Sequence, residues 1–249
     1  KKLTNVPETI VRFTNHTTLS LAGNKLSSIP ESITALKHLT ELDLSNNRLN
    51  SIPEIVIQLV NLTELDLSGN NFYFIPGTIT KLINLKQLYL NNNKLASLPD
   101  FIATMVSLSE IYFYGNLLTS IPESISKLSN LTEIGLGGNL LTSLPESMSG
   151  LINLKYLALS YNQFTTLPAC IPQLTNLIVP DLNGNKLTEL PESTGNLTKL
   201  AELYLESNKL ATLPGSITQL TGLSKINVKE NNSLKLSPSV KKFIEDKKL

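Results

Sequence analysis

Leucine and its aliphatic substitutes follow two alternating rhythms along this chain, and the alternation itself repeats every 23 residues. In the unit that begins at Leu39, taken as position 1, apolar residues stand at Leu42 and Leu44 with polar residues between them. This period-2 pattern predicts a short strand with positions 4 and 6 buried and positions 3 and 5 outward. The next apolar pair of the unit is Leu49 and Ile52, and Val56 and Leu59 (positions 18 and 21) then follow at the spacing of one turn of a short helix. Strand and turn alternate in this way nearly to the end of the sequence.

Fixed polar and special residues keep the same register. Asparagine occupies position 9 at 24, 47, 70, 93, 116, 139, 162, 185, 208 and 231. Proline occupies position 15 at 7, 30, 53, 76, 99, 122, 145, 168, 191 and 214. An inward asparagine amide satisfies backbone groups of adjacent turns, and each such group left unpaired would cost about 1–3 kcal/mol. Proline suits the start of a descending arc, where its missing N–H does little harm. No single unit can bury its own apolar face, so the units must stack into one continuous core.

The run from Leu39 to Leu49, L-x-x-L-x-L-x-x-N-x-L, resembles the leucine-rich-repeat signature. The second half, L/I-P-x-x-I-x-x-L, resembles the 23-residue repeats of the Ras-suppressor and plant intracellular Ras-group class, the repeat arms of Roco-type GTPases and some bacterial repeat proteins. The resemblance covers nearly the whole chain. It implies an α/β solenoid of about ten repeats, curved like a horseshoe, with a parallel sheet on the concave face and short helical or irregular arcs on the convex face. Residues 1–249 are then one repeat domain. For function it implies protein binding and signalling, with a small GTPase or a scaffold as a possible partner class.

Both ends and one strand depart from the pattern. Lys1 falls at position 9, in mid-repeat, as expected of a fragment. At the other end, Ser237-Pro238 reads as the N-cap and first residue of a capping helix over 237–249. Val240, Phe243 and Ile244 share one face of that helix, with Lys241, Lys242, Glu245, Asp246, Lys247 and Lys248 mostly outward. Pro180 replaces the position-4 leucine and predicts a local distortion, because it removes a ladder donor. Thr194, at an isoleucine position of the same repeat, predicts loose packing there.

Composition narrows the function. The net charge is +1 and no apolar run approaches the length of a membrane span, so membrane insertion and nucleic-acid binding are not expected. Cys170 is the only cysteine, which suits a cytoplasmic protein. Five N-x-S/T sequons, at Asn15, Asn61, Asn130, Asn196 and Asn231, keep a secreted or effector protein as the alternative. His16 and His38 lack nucleophile partners at any recognisable spacing, and Gly135-Leu136-Gly137-Gly138 lacks the G-K-[ST] of a phosphate loop. Outward carboxylates recur one strand apart, but a shallow sheet offers no site to tune them. The chain is therefore expected to be a non-enzyme without cofactor or metal, and a monomer.

Charge is segregated by face. At outward positions 2, 3, 5, 7 and 8 there are ten acids and four bases, a balance of 4 − 10 = −6 that leaves about +7 elsewhere. Such a face favours a protein partner with a basic or mixed-charge surface and repels phosphates. Tyrosines gather there as well, and Tyr is enriched in binding hot spots. The candidate partner-binding residues are Glu64, Asp66, Tyr89, Glu110, Tyr112, Tyr114, Glu133, Tyr156 and Tyr161. Gly135, Gly137, Ala158 and Ser160 are expected to form a small-residue floor between the tyrosines. A lower-ranked alternative is the opposite flank at Tyr73 and Phe74. A regulatory arm of a larger signalling enzyme remains a second functional reading.

Overall fold

The computed structural model describes residues 2–247, so the positions expected for Lys1 and Lys248 lie outside the described residues. Ten three-residue strands follow one another: β1 (Thr18–Ser20), β2 (Glu41–Asp43), β3 (Glu64–Asp66), β4 (Gln87–Tyr89), β5 (Glu110–Tyr112), β6 (Glu133–Gly135), β7 (Tyr156–Ala158), β8 (Val179–Asp181), β9 (Glu202–Tyr204) and β10 (Lys225–Asn227). They form a single parallel sheet in sequence order. Residues 23 apart face each other, as in Glu41 opposite Glu64 and Tyr89 opposite Tyr112. Each connection returns through a short 3-10 turn, the short helical turn expected from positions 18 and 21. The proline carbonyl at position 15 accepts the N–H three residues on, as from Ile79 to Pro76 at 3.1 Å. That bond needs no donor from proline.

Inside, positions 1, 4, 6, 11, 14, 18 and 21 merge into one apolar column, with Leu62, Leu85, Leu108 and Leu154 fully buried. Phe72, Phe113 and Phe164 fill the larger gaps. The asparagine column works as the pattern predicted. Asn139 Oδ1 accepts from Leu118 N at 3.0 Å, and its Nδ2 donates to Phe113 O, Leu136 O and Gly137 O at 2.9, 3.0 and 3.3 Å. A second polar column lies at position 23, where Asn61, Asn84, Asn130 and Asn153 donate to a carbonyl of the preceding repeat at 2.8–2.9 Å.

Position 8 is a left-handed turn rather than part of the outward strand surface. Its φ is positive throughout the array, at Gly23, Asn46, Gly69, Asn92, Gly115, Gly138, Tyr161, Gly184, Ser207 and Glu230. Glycine and asparagine tolerate that conformation, whereas Tyr161 adopts it at some cost.

The irregular eighth repeat is only partly as expected. Pro180 stays in strand and keeps full register with β7, but only the Asp181–Tyr204 pair remains between β8 and β9. On either side of it the Val179 and Glu202 amides reach 3.3 Å from their acceptors. The expected loose packing at Thr194 is wrong. Thr194 is buried, and a Cβ on Gly195 would come within 2.7 Å of Ser216 Cβ. Small residues there bring two 3-10 turns close together.

The C-terminal helix α1 (Pro238–Asp246) is capped by Ser237, whose Oγ accepts from Val240 N at 3.4 Å. Val240 is buried against the last repeat, with Phe243 and Ile244 partly so. Lys247 corrects the outward assignment: its ammonium turns back to donate to Leu223 O at 3.1 Å and to Thr221 O.

Candidate functional site: the concave sheet surface

Short strands in strict register place outward residues in rows that run across the repeats. Position 3 gives Glu41, Glu64, Gln87, Glu110, Glu133, Tyr156, Val179 and Glu202, and position 5 gives Asp43, Asp66, Tyr89, Tyr112, Gly135, Ala158, Asp181 and Tyr204. Neighbours within a row are about 4.8 Å apart, the strand spacing. The candidate residues therefore lie on one surface, but in different ways.

At the β2–β3 end carboxylates crowd together. Burial, followed by repulsion from Glu41, Asp66, Glu110 and Asp43, holds the Glu64 carboxyl above its usual range. Asp66 has a structural task too, accepting the Ser68 amide at 2.8 Å to close the turn after the strand.

The centre is a hydrogen-bonded aromatic slab. Tyr89 and Tyr112 stack with ring centroids 4.9 Å apart and planes 10° apart, and Tyr112 continues to Tyr114 at 6.1 Å. Gln87 Nε2 donates to Glu110 at 2.8 Å. The Tyr112 hydroxyl lies 2.5 Å from Glu133 Oε2 and 3.1 Å from Glu110 Oε2. With one proton, it donates to the nearer oxygen. Desolvation first and the neighbouring carboxylates second push Tyr89 up to about 12 and raise Tyr112 further. Tyr114 is also raised, by burial and by Asp181 and Glu133. All three phenols are neutral at ordinary pH.

The expected small-residue floor is displaced. A Cβ on Gly135 would lie 2.3 Å from Tyr114 Cε2 and 2.7 Å from Tyr112 Cδ1, and one on Gly137 would lie 3.0 Å from Tyr114 Cδ1. The rings already fill the space that these glycines open, which is what a glycine inside a strand often signals. The open cavity lies one repeat further on and has a volume of about 420 Å³. Ala158 and Leu157 lie at its base, with Tyr112, Tyr114 and Glu133 on one side, Tyr156 and Val179 on another, and Asp181 and Tyr204 opposite.

Tyr156 lines this cavity and is 41% exposed. Tyr161 does not line it; it rests on Gly184 at the turn and is 69% exposed. Tyr204, outside the set of candidates taken from the sequence, is a cavity wall. Its position-5 register beside Asp181 was the available signal.

Other surfaces separate from this one. Tyr73 and Phe74 are exposed on the opposite flank, and Leu117 and Leu140 are exposed two and three repeats further on. Position 22 carries a further exposed aliphatic row, Val60, Ile83, Val106 and Ile152, which sequence reading passed over. Its signal was an apolar residue outside the buried register. Of the sequons, Asn231 is buried with its amide donating to Leu205 O at 2.9 Å, so that site is closed in the fold. Among the described residues no cluster of three or more His, Cys, Asp or Glu is placed to hold a metal ion, and no helix is long and apolar enough to cross a membrane.

Family models for a leucine-rich repeat match residues 14–72 and 83–141, and one for a leucine-rich repeat region matches 138–245. A leucine-rich-repeat protein of Leptospira interrogans is 31% identical over 99% of this chain and 80% of its own, with a TM-score of 0.59. The chain is a leucine-rich-repeat protein. Its repeats are similar to the ectodomain of the Arabidopsis thaliana membrane receptor kinase GASSHO1/SCHENGEN3, solved in complex with CASPARIAN STRIP INTEGRITY FACTOR 2 (34% identity, TM-score 0.76). They are also similar to the functional domain of InlJ from Listeria monocytogenes (25% identity, TM-score 0.77). This leucine-rich-repeat chain covers 93% and 94% of itself in those matches but spans only 29% and 48% of the two proteins. A search of curated proteins finds no match.

Proposed function

We propose that this leucine-rich-repeat chain is a non-catalytic recognition module that binds a protein or peptide partner through its concave face. The observation that carries the reading is the continuous surface from the Glu64 carboxylates through the Tyr89–Tyr112–Tyr114 slab to the cavity over Ala158. Stacked, hydrogen-bonded tyrosines offer large contact area at low entropic cost, and a central aromatic patch is the anatomy of a hot spot. The acidic balance of the face suits a partner with a basic or mixed-charge surface. The Arabidopsis receptor ectodomain was solved in complex with its factor, and a comparable role in partner recognition fits this chain. We place it in the cytoplasm, on the strength of its lone buried thiol. Likeness to a receptor ectodomain favours a second reading, an extracellular recognition domain. Glycan occupancy at Asn15, Asn61, Asn130 or Asn196 in the native protein would establish that second reading.

The test is paired capture. One bait is wild type and the other carries Tyr112→Ala, Tyr114→Ala and Glu110→Lys, with folding confirmed by circular dichroism. The reading expects a partner, purified and bound directly by wild type, to lose at least about tenfold in affinity for the variant, or about 1.4 kcal/mol. Equal binding by both baits moves recognition off the central concave face.

A further inference from the structure

The cavity over Ala158 has features that a general contact surface does not need. It is an indentation of the concave sheet with aromatic residues on several sides, where Gly135, Ala158 and Asp181 follow one another in the position-5 row between Tyr112 and Tyr204. Two carboxylates, Glu133 and Asp181, belong to its lining, and no basic side chain does. Each has one oxygen engaged, Glu133 Oε2 by the Tyr112 hydroxyl and Asp181 Oδ1 by the Asn183 amide at 3.0 Å, and among the described residues Glu133 Oε1 and Asp181 Oδ2 make no further hydrogen bond. Asp181 stands beside Ala158 on one side and Tyr204 on the other, in the same outward row.

Tyr204 already holds a cation on its far side. Lys225 Nζ lies 4.7 Å from the ring centroid and donates to the hydroxyl at 2.9 Å, with Glu202 3.9 Å from the ammonium. Lys225 approaches from β10 and its charge is answered there by Glu202. The cavity approaches the same ring from the β8 side, where Asp181 has no basic partner among the described residues.

Resting on the concave-face reading, we infer that this cavity is a receptor for one arginine side chain of the partner, its guanidinium stacked among Tyr114, Tyr156 and Tyr204 and bonded to Asp181 Oδ2. Guanidinium fits better than other groups for three reasons. It is flat enough to lie on a tyrosine face, its charge is attracted to the ring quadrupole, and its fork of donors matches a carboxylate. The aliphatic stem of arginine would cover Ala158 and Val179. An anion is excluded by the two carboxylates, and a purely apolar side chain would leave Asp181 covered without a partner.

The experiment is an NMR titration of the whole chain with N-acetyl-arginine methylamide, and with the citrulline analogue, which keeps the shape and loses the charge. The arginine probe is expected to give saturable shifts of the Tyr114, Tyr156 and Tyr204 ring signals, at least about tenfold tighter than citrulline, as loss of a charge-assisted hydrogen bond implies. Asp181→Asn retains Oδ1 for the Asn183 turn and should abolish that preference. Ala158→Leu, an outward strand substitution that fills the base, should abolish the shifts altogether. Equal response to the two probes, or an undiminished preference in Asp181→Asn, overturns the inference. If the arginine probe fails while paired capture still yields a partner lost by the tyrosine variant, the concave-face reading stands and only the arginine receptor falls. Failure of both removes both.

Discussion

Replacing Asn139 by alanine interrogates the asparagine column at the centre of the array. The amide is 3% exposed and serves four backbone groups, but these are not equally dependent on it. Phe113 O keeps Asn116 Nδ2 at 3.1 Å, Leu136 O keeps Asn162 Nδ2 at 2.9 Å, and Gly137 O keeps the Gly115 amide at 2.9 Å. Only the Leu118 N–H, bonded to Asn139 Oδ1 at 3.0 Å, is left with no acceptor. One orphaned buried donor costs about 1–3 kcal/mol, and weakening three shared carbonyls adds about 1 kcal/mol, so Asn139→Ala should cost about 2–4 kcal/mol. Because each repeat is stabilised by its neighbours, the damage should also lower cooperativity by uncoupling the two halves.

Urea unfolding followed by circular dichroism measures the midpoint and slope, and amide exchange at Leu118 reports the orphan directly. Asn139→Asp supplies an internal control. A carboxylate there would face three carbonyls, so its folded-state pKa is raised above the unfolded value near 3.9. Its deficit relative to wild type should be smallest below about pH 4 and grow as pH rises through the folded pKa, whereas the alanine deficit should be independent of pH. A loss below about 0.5 kcal/mol for Asn139→Ala, the range of an ordinary surface substitution, would refute the reasoning.

Two further outcomes follow from the concave surface. Gly135→Val should displace the Tyr112 and Tyr114 rings, which its Cβ would approach within 2.7 and 2.3 Å, and change their NMR shifts while costing only about 1–2 kcal/mol, since the clash is with movable ring ends; unchanged ring shifts would contradict the packing. In alkaline spectrophotometric titration, Tyr89 should ionise near 12 and Tyr112 later still, so stability from these neutral phenols is present below pH 10 and lost as pH rises above it. Glu133→Gln should bring the Tyr112 transition down, and an unmoved titration would contradict the Tyr112–Glu133 hydrogen bond.

Fold and site were legible to different depths in the sequence. Leu39, Asn47 and Pro53 announce strand, inward turn and arc because each fills a position set by near-neighbour geometry that recurs in every unit. The Tyr89, Tyr112 and Tyr114 cluster was legible for the same reason, since register alone puts them side by side. The cavity was not. Its place depends on which way the Tyr112 and Tyr114 rings lean, over Gly135 and Gly137, and side-chain direction is not contained in a repeat pattern. Tyr161 was misjudged as a flank because position 8 is a left-handed turn, and its role in backbone geometry outweighs its outward register. Thr194 looked like a packing defect, yet its repeat closes tightly because Gly195 lets Ser216 approach. Such compensation between neighbouring repeats is invisible when each unit is read alone.

Hydroxyl-radical footprinting of the tyrosines, with and without the partner obtained by capture, tests most directly that recognition occupies the concave face. Tyr73, 60% exposed on the opposite flank, is the internal reference against Tyr156 at 41%. The account predicts that oxidation of Tyr114, Tyr156 and Tyr204 falls severalfold in the complex while Tyr73 is oxidised as before. Protection of Tyr73 and Phe74 with the concave tyrosines unchanged would contradict it.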